Sequence, residues 1–188
     1  MKKLSLILLF LFLTANCFGA TFGETGSGGS GILLSRGLFA SKYTLSVGGT
    51  VQSLYAKLSL YQSNSINYAY AIYSNDNNQP SALLDYTDIG TISIAHPSST
   101  ILNLTSSIDL NAGDYWLAYR VTYSNDSPTF YLYFQSGNGS PLADTLGQYS
   151  SFPQTFPSSS PGGTDGLCIY ATYTPIPTTF KQGEEIFY

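Results

Sequence analysis

The sequence predicts an all-β protein: a two-sheet antiparallel β-sandwich, with a jelly roll as the expected winding. Three observations carry that prediction. Apolar residues recur with a period of two in segment after segment, as on one face of a half-buried strand. Gly, Pro, Asn and Ser clusters punctuate those segments at Gly48-Gly49, Asn75–Pro80, Asn111-Ala112-Gly113, Ser124–Pro128 and Gly137–Pro141. No window of about twelve residues carries helical spacing. About nine or ten short strands in one domain require two packed sheets, because one flat sheet would leave an apolar face in water.

Val51–Tyr61 (VQSLYAKLSLY) sets Leu54, Ala56, Leu58 and Leu60 on one side and Tyr55, Lys57, Ser59 and Tyr61 on the other. In Ile66–Tyr73, Tyr68, Tyr70 and Ile72 alternate with Ala69 and Ala71. Tyr115–Tyr123 opposes Tyr115, Leu117, Tyr119 and Val121 to Trp116, Ala118, Arg120 and Thr122. Phe130, Leu132 and Phe134 face away from Tyr131 and Tyr133, and Leu167–Tyr173 alternates in the same way. Leu38–Leu45, Leu83–Tyr86, Ile89–Ala95, Ser99–Leu104 and Gln148–Phe152 are shorter strand candidates. Pro153–Gly163 (PQTFPSSSPGG) reads as a long loop before the last core strand, and 175–188 as a tail or an added edge strand. The sandwich is therefore assigned to residues 32–174.

Ahead of it, Lys2 and Lys3 precede an apolar run of ten residues, Leu4–Leu13, the form of a secretory signal peptide. The run is too short for a bilayer, which takes ~20 residues. Cys17-Phe18-Gly19 puts small residues at −3 and −1, so residues 1–19 are expected to be removed. Lipidation at Cys17 is the alternative, although Asn16 stands where lipoproteins carry Gly, Ala or Ser. Residues 20–31, rich in Gly and Ser, read as a flexible lead-in. The expected location is the cell surface or the extracellular medium, with no transmembrane segment after cleavage.

Composition narrows the function classes. The chain has 188 residues, a net charge of −4 and a pI of about 4.6. Without residues 1–19, five positive charges face 11 acids and the net charge is −6. A nucleic-acid partner, which needs clustered Lys and Arg, is excluded. One His and two Cys exclude a His- or Cys-rich metal site, and after cleavage Cys168 has no Cys to pair with. His96-Pro97 reads as a solvated loop. Against charged residues at 10% stand 16 Tyr and 11 Phe.

One set of motifs is familiar. Ala71-Ile72-Tyr73-Ser74-Asn75-Asp76, then Gln79-Pro80-Ser81 and Leu83-Leu84, is followed by Leu110-Asn111-Ala112-Gly113-Asp114-Tyr115-Trp116-Leu117-Ala118. Upstream stand Tyr43-Thr44-Leu45 and Gly49-Thr50-Val51. Over roughly residues 38–135 the chain resembles secreted β-sandwich modules of bacterial and archaeal surface proteins, including the choice-of-anchor type. The resemblance implies a non-catalytic module at a cell surface, with carbohydrate among the ligands of neighbouring jelly-roll families.

The residues offer three chemistries. Tyr55 and Tyr61 lie opposite a row of aliphatics, and Tyr131 and Tyr133 opposite Phe and Leu. Outward aromatics stack on sugar faces or pack on another subunit, so these four are the candidate ligand-binding residues. Calcium takes loop carboxylates and amides, and Asp76, Asp85 and Asp88 near Asn75, Asn77 and Asn78 are the candidate ligands; the plainer reading is that they shape turns. A glycosidase would need two carboxyls ~5–10 Å apart across a cleft, whereas most acids here fall in turns. The expected function is non-enzymatic: binding or adhesion at the cell surface, to neutral polysaccharide or to another surface protein. The alternatives are a subunit of an extracellular filament or surface layer assembled by strand addition, and then a secreted glycan hydrolase.

Overall fold

The computed structural model describes residues 19–26, 28, 30–34, 37–60, 65–92, 98–122, 130–135, 142–145, 149–158, 163 and 165–176. The apolar run expected to be a signal peptide, with Cys17, together with Tyr61, His96 and residues 177–188, lies outside the described residues. In chain order the strands are β1 (Ala20–Gly23), β2 (Ser30–Leu34), β3 (Gly37–Leu45), β4 (Gly49–Leu60), β5 (Ile66–Asp76), β6 (Gln79–Tyr86), β7 (Gly90–Ile92) and β8 (Ser98–Leu110). They continue with β9 (Gly113–Thr122), β10 (Phe130–Gln135), β11 (Leu142–Thr145), β12 (Gly166–Leu167) and β13 (Ile169–Pro175). All pairings are antiparallel, in two sheets that pack face to face.

In the first sheet β4 is central, with β8 along one edge and β13 and then β10 along the other. β1 borders β13, and β2 borders β10. The second sheet runs β11-β3-β9-β5-β6, with β7 alongside the start of β5. Asp76 pairs with Gln79, which leaves Asn77 and Asn78 as a two-residue hairpin. Both have positive φ, 50° and 63°, the primed turn whose twist suits antiparallel strands and which Asn tolerates.

The main core lies between the sheets. Val51, Leu54, Ala56, Leu58, Ile169 and Ala171 of the first sheet meet Phe39, Leu45, Tyr70, Ile72, Leu117 and Tyr119 of the second. Tyrosines bring hydroxyls into this core, and buried hydroxyls need partners. The Tyr43 hydroxyl donates across the sandwich to the Leu167 carbonyl, and the Tyr70 hydroxyl is bonded to Thr100 Oγ1 in the opposite sheet. Ser41 Oγ accepts the Leu167 N–H at 3.1 Å. These bonds tie the sheets together at fixed register.

The second sheet is also buried along the middle of its outer face. On its outer side Ala40, Ala69, Ala71, Ala118 and Ala143 form a flat floor that Trp116, Tyr73, Phe152 and Phe156 cover. Small side chains on four adjacent strands let large rings lie close to the backbone. Trp116 is fully buried and its Nε1–H donates to Asn75 Oδ1 at 2.9 Å. The cover is pinned to the β6 edge: the Leu83 N–H donates to the Gln154 carbonyl, and the Phe156 N–H to the Ser81 carbonyl.

Four expectations need correction. The lead-in is not merely flexible, since β1 and β2 fall within or overlap it and pair with the first sheet; Phe22 is buried against Tyr115 and Tyr173 and anchors β1. The expected strand at Gln148–Phe152 is irregular between residues 149 and 152, and pairing occurs one step later, inside the expected loop, at Thr155 opposite Ala82. β8 continues six residues beyond Leu104, because a register shift opposite Val51 and Ser53 lets the ladder resume at Ile108. β11 was not anticipated; its pairing with β3 buries Ala143.

Trp116→Ala should destabilise the protein by about 3–5 kcal/mol, by emptying the outer cluster and stranding Asn75. Urea unfolding followed by tyrosine fluorescence measures this.

Candidate functional site

With the second sheet covered, the outer face of the first sheet holds the candidate site. Strand alternation turns Ser53, Tyr55 and Lys57 outward from β4 while Leu54, Ala56 and Leu58 enter the core. On β13, Ile169 and Ala171 point inward and Tyr170 and Thr172 outward. The register places Tyr55 directly opposite Tyr170, and Ser53 opposite Thr172. The two phenol rings lie parallel, with centroids 4.7 Å apart and planes within 3°. Both residues are partly exposed. Ser53 Oγ and Thr172 Oγ1 are 2.7 Å apart and form a hydroxyl pair beside the aromatic pair.

The next row carries charge. Lys57 Nζ sits 4.6 Å from the centroid of the Tyr133 ring, a cation–π contact between β4 and β10. A recess of about 190 Å³ opens beside these residues, lined by Glu24, Thr25, Gly26, Tyr55, Lys57, Cys168 and Tyr170 among others. Its floor is the junction of β12 and β13. There the Cys168 N–H donates to the Tyr133 carbonyl, and the Cys168 carbonyl accepts the Lys57 N–H at 3.0 Å. Glu24 holds the rim: its N–H donates to the Ile169 carbonyl, and its Oε1 accepts the Gly26 N–H at 2.7 Å. Gly23 makes this rim possible. Its φ is 111°, and a Cβ there would lie 2.5 Å from the Ile169 carbonyl oxygen.

Burial shapes the titrations here. It raises the Tyr170 hydroxyl above the usual phenol value, with the adjacent Tyr55 adding to the shift. The Cys168 thiol is pushed up to about 11, first by desolvation and then by the Glu24 carboxylate, with Lys57 opposing. A protonated, buried thiol is inert as a nucleophile.

Of the four tyrosines singled out by sequence, Tyr55 and Tyr133 lie on this face. Tyr61 is outside the described residues; the backbone of Tyr131 pairs with Ser59 and Leu33, but its side chain is outside them. Tyr170 was missed, although its alternation with Ile169 and Ala171 was the available signal. Its pairing with Tyr55 required the register. The three candidate calcium ligands do not converge: among the described residues no group of three His, Cys, Asp or Glu side chains is spaced to hold a metal ion. Asp76 accepts from Asn77 Nδ2 at the exposed hairpin, and Asp88 lies at the surface. Asp85 is buried, and its oxygens accept from the Tyr86 N–H, Thr105 Oγ1 and Ser106 Oγ at 2.8–3.1 Å. Its role is to tie β6 to β8.

A thiol whose pKa is raised in the fold stabilises the protein below its unfolded pKa of about 9.0, and that contribution is lost as pH rises through about 11. Cys168→Ser should therefore flatten the fall of Tm between pH 9 and 11, read by thermal melts at stepped pH.

Among known proteins, the chain matches no family model, and no curated protein matches it. No helix of the described residues is long and apolar enough to cross a membrane.

Proposed function

We propose that this is a secreted, non-catalytic β-sandwich module that binds neutral polysaccharide at a cell surface through the outer face of its first sheet. The parallel Tyr55–Tyr170 pair carries the reading. Each ring keeps one face turned away from its partner, and such faces match the C–H face of a pyranose while losing little entropy on binding. The Thr172 hydroxyl, held by the buried Ser53, and the Glu24 and Lys57 groups beside the pair supply polar contacts for sugar hydroxyls. The resemblance to choice-of-anchor modules and the amino-terminal signal sequence agree with an exported role.

A second reading, a subunit assembled by strand addition, draws on β1. Among the described residues this four-residue strand pairs only through β13, at the sheet edge beside a Gly- and Ser-rich stretch, and it inserts Phe22 into the core. A neighbour's copy of the same segment could take its place. Sedimentation at high concentration distinguishes the two: a monomer up to millimolar concentration removes the assembly reading.

Tyr55→Ala and Tyr170→Ala should each weaken retention on an insoluble neutral glucan by about tenfold, with far-UV circular dichroism unchanged. Wild-type retention in both variants, or no retention of the parent protein on any neutral polysaccharide, would remove the glycan reading.

A further inference from the structure

The outer side of the second sheet holds a larger recess, about 320 Å³, where the 149–154 segment meets the β6–β7 connection. Arg120 of β9 lines it, between Leu38 and Ala69 in register. The side chain is only 5% exposed. Its Nη1 donates to the Tyr149 carbonyl at 2.7 Å, and its guanidinium carbon lies 5.3 Å from the centre of the Phe152 ring. Nε is buried without a hydrogen-bond partner, and among the described residues no carboxylate pairs with this cation. Lys42, by contrast, has Asp114 at 3.5 Å.

Removing a cation from water is costly unless it is paired, and one carbonyl with one aromatic face leaves most of a guanidinium's five donors unused. The planar fork matches a carboxylate, which it grips through two parallel hydrogen bonds. The surrounding side chains narrow the choice of anion. Tyr86, 45% exposed and 6.3 Å from Phe152, gives an aromatic wall. Ser150, Ser151 and Gln154 bring hydroxyl and amide groups that suit sugar hydroxyls, and the Asp88 carboxylate lies at the opening. A carboxylate of the protein there repels anions, and a multiply charged one such as phosphate most. The volume is at the small end of ligand pockets, which suits one ring.

From this we infer that the recess binds a carboxylate-bearing sugar, a hexuronate unit, with Arg120 gripping the carboxylate and Ser150, Ser151 and Gln154 taking the hydroxyls, while Asp88 at the opening acts only through its negative charge. The site is separate from the tyrosine face and does not depend on that face binding glycan. It makes the module able to hold an acidic sugar on one sheet and a neutral one on the other.

The test is titration of the purified, isotope-labelled protein with glucuronate, glucose, acetate and inorganic phosphate, followed by amide chemical shifts. Glucuronate should perturb Arg120, Ser150 and Ser151, with glucose, acetate and phosphate each about tenfold weaker or more. Arg120→Lys, which keeps the charge but loses the fork, should weaken glucuronate about tenfold. Asp88→Asn alters an exposed residue whose carboxylate makes no hydrogen bond among the described residues, so folding is not at stake. It should tighten glucuronate and leave glucose unchanged, which a purely structural Arg120 would not produce. Equal affinity for glucose and glucuronate, acetate or phosphate binding as tightly as glucuronate, or unchanged glucuronate affinity in Asp88→Asn would overturn the proposal.

Discussion

The constraint from which the rest follows is that the middle strands of one sheet are apolar on both faces. β5 and β9 present tyrosines, Leu117 and Val121 to the sandwich interior, and Ala69, Ala71, Tyr73, Trp116 and Ala118 to the other side. A sheet of that kind cannot leave either face in water. The opposite sheet covers one face. The chain supplies the other cover itself, by folding 149–156 across the alanine floor and pinning it to β6. That cover brings Phe152 over Arg120 and creates the recess beside it.

The first sheet is built differently, and so it can carry a solvent-facing site. Apart from register shifts near Ser53 and Tyr173, its central strands β4 and β13 alternate, with aliphatics inward and Tyr, Thr and Lys outward. Its outer face carries Ile101, 49% exposed, opposite Tyr55 rather than a continuous apolar layer. What distinguishes that face is cross-strand pairing, which turns isolated outward residues into rows: Ser53 with Thr172, Tyr55 with Tyr170, and Lys57 beside Tyr133. The break at Cys168 contributes, because the chain there leaves β10 and joins β4, keeping Leu167 and Ile169 inward on either side of it while Tyr170 points out.

The abundance of tyrosine thus has two physical causes. Inside the sandwich, Tyr43 and Tyr70 fill volume and use their hydroxyls to bond the opposite sheet. Burial raises the Tyr70 and Tyr119 hydroxyls far above the usual phenol value, so the core holds them neutral at any physiological pH. Tyr119 goes further, for its hydroxyl is buried with no partner among the described residues, a cost carried by the packing around it. Outside, Tyr55, Tyr133 and Tyr170 stay partly wet.

Alternation at period two is a local property of the chain, so the fold class and the inward set of each long strand can be read from the residues alone. The turn at Asn77-Asn78 was equally legible, since only a few residues tolerate positive φ. Tyr55 and Tyr133 were visible as outward residues for the same reason. The remaining features depend on segments distant in the chain. The partner of Tyr55 is 115 positions along the chain, set by the register of β13 on β4. That the Trp116 side of β9 is buried as deeply as its Leu117 side depended on where Phe152 and Phe156 come to lie. The lead-in looked flexible by composition, yet Phe22 orders it by entering the core. Periodicity states which side of a strand is apolar; it carries no information on what arrives from elsewhere to cover it.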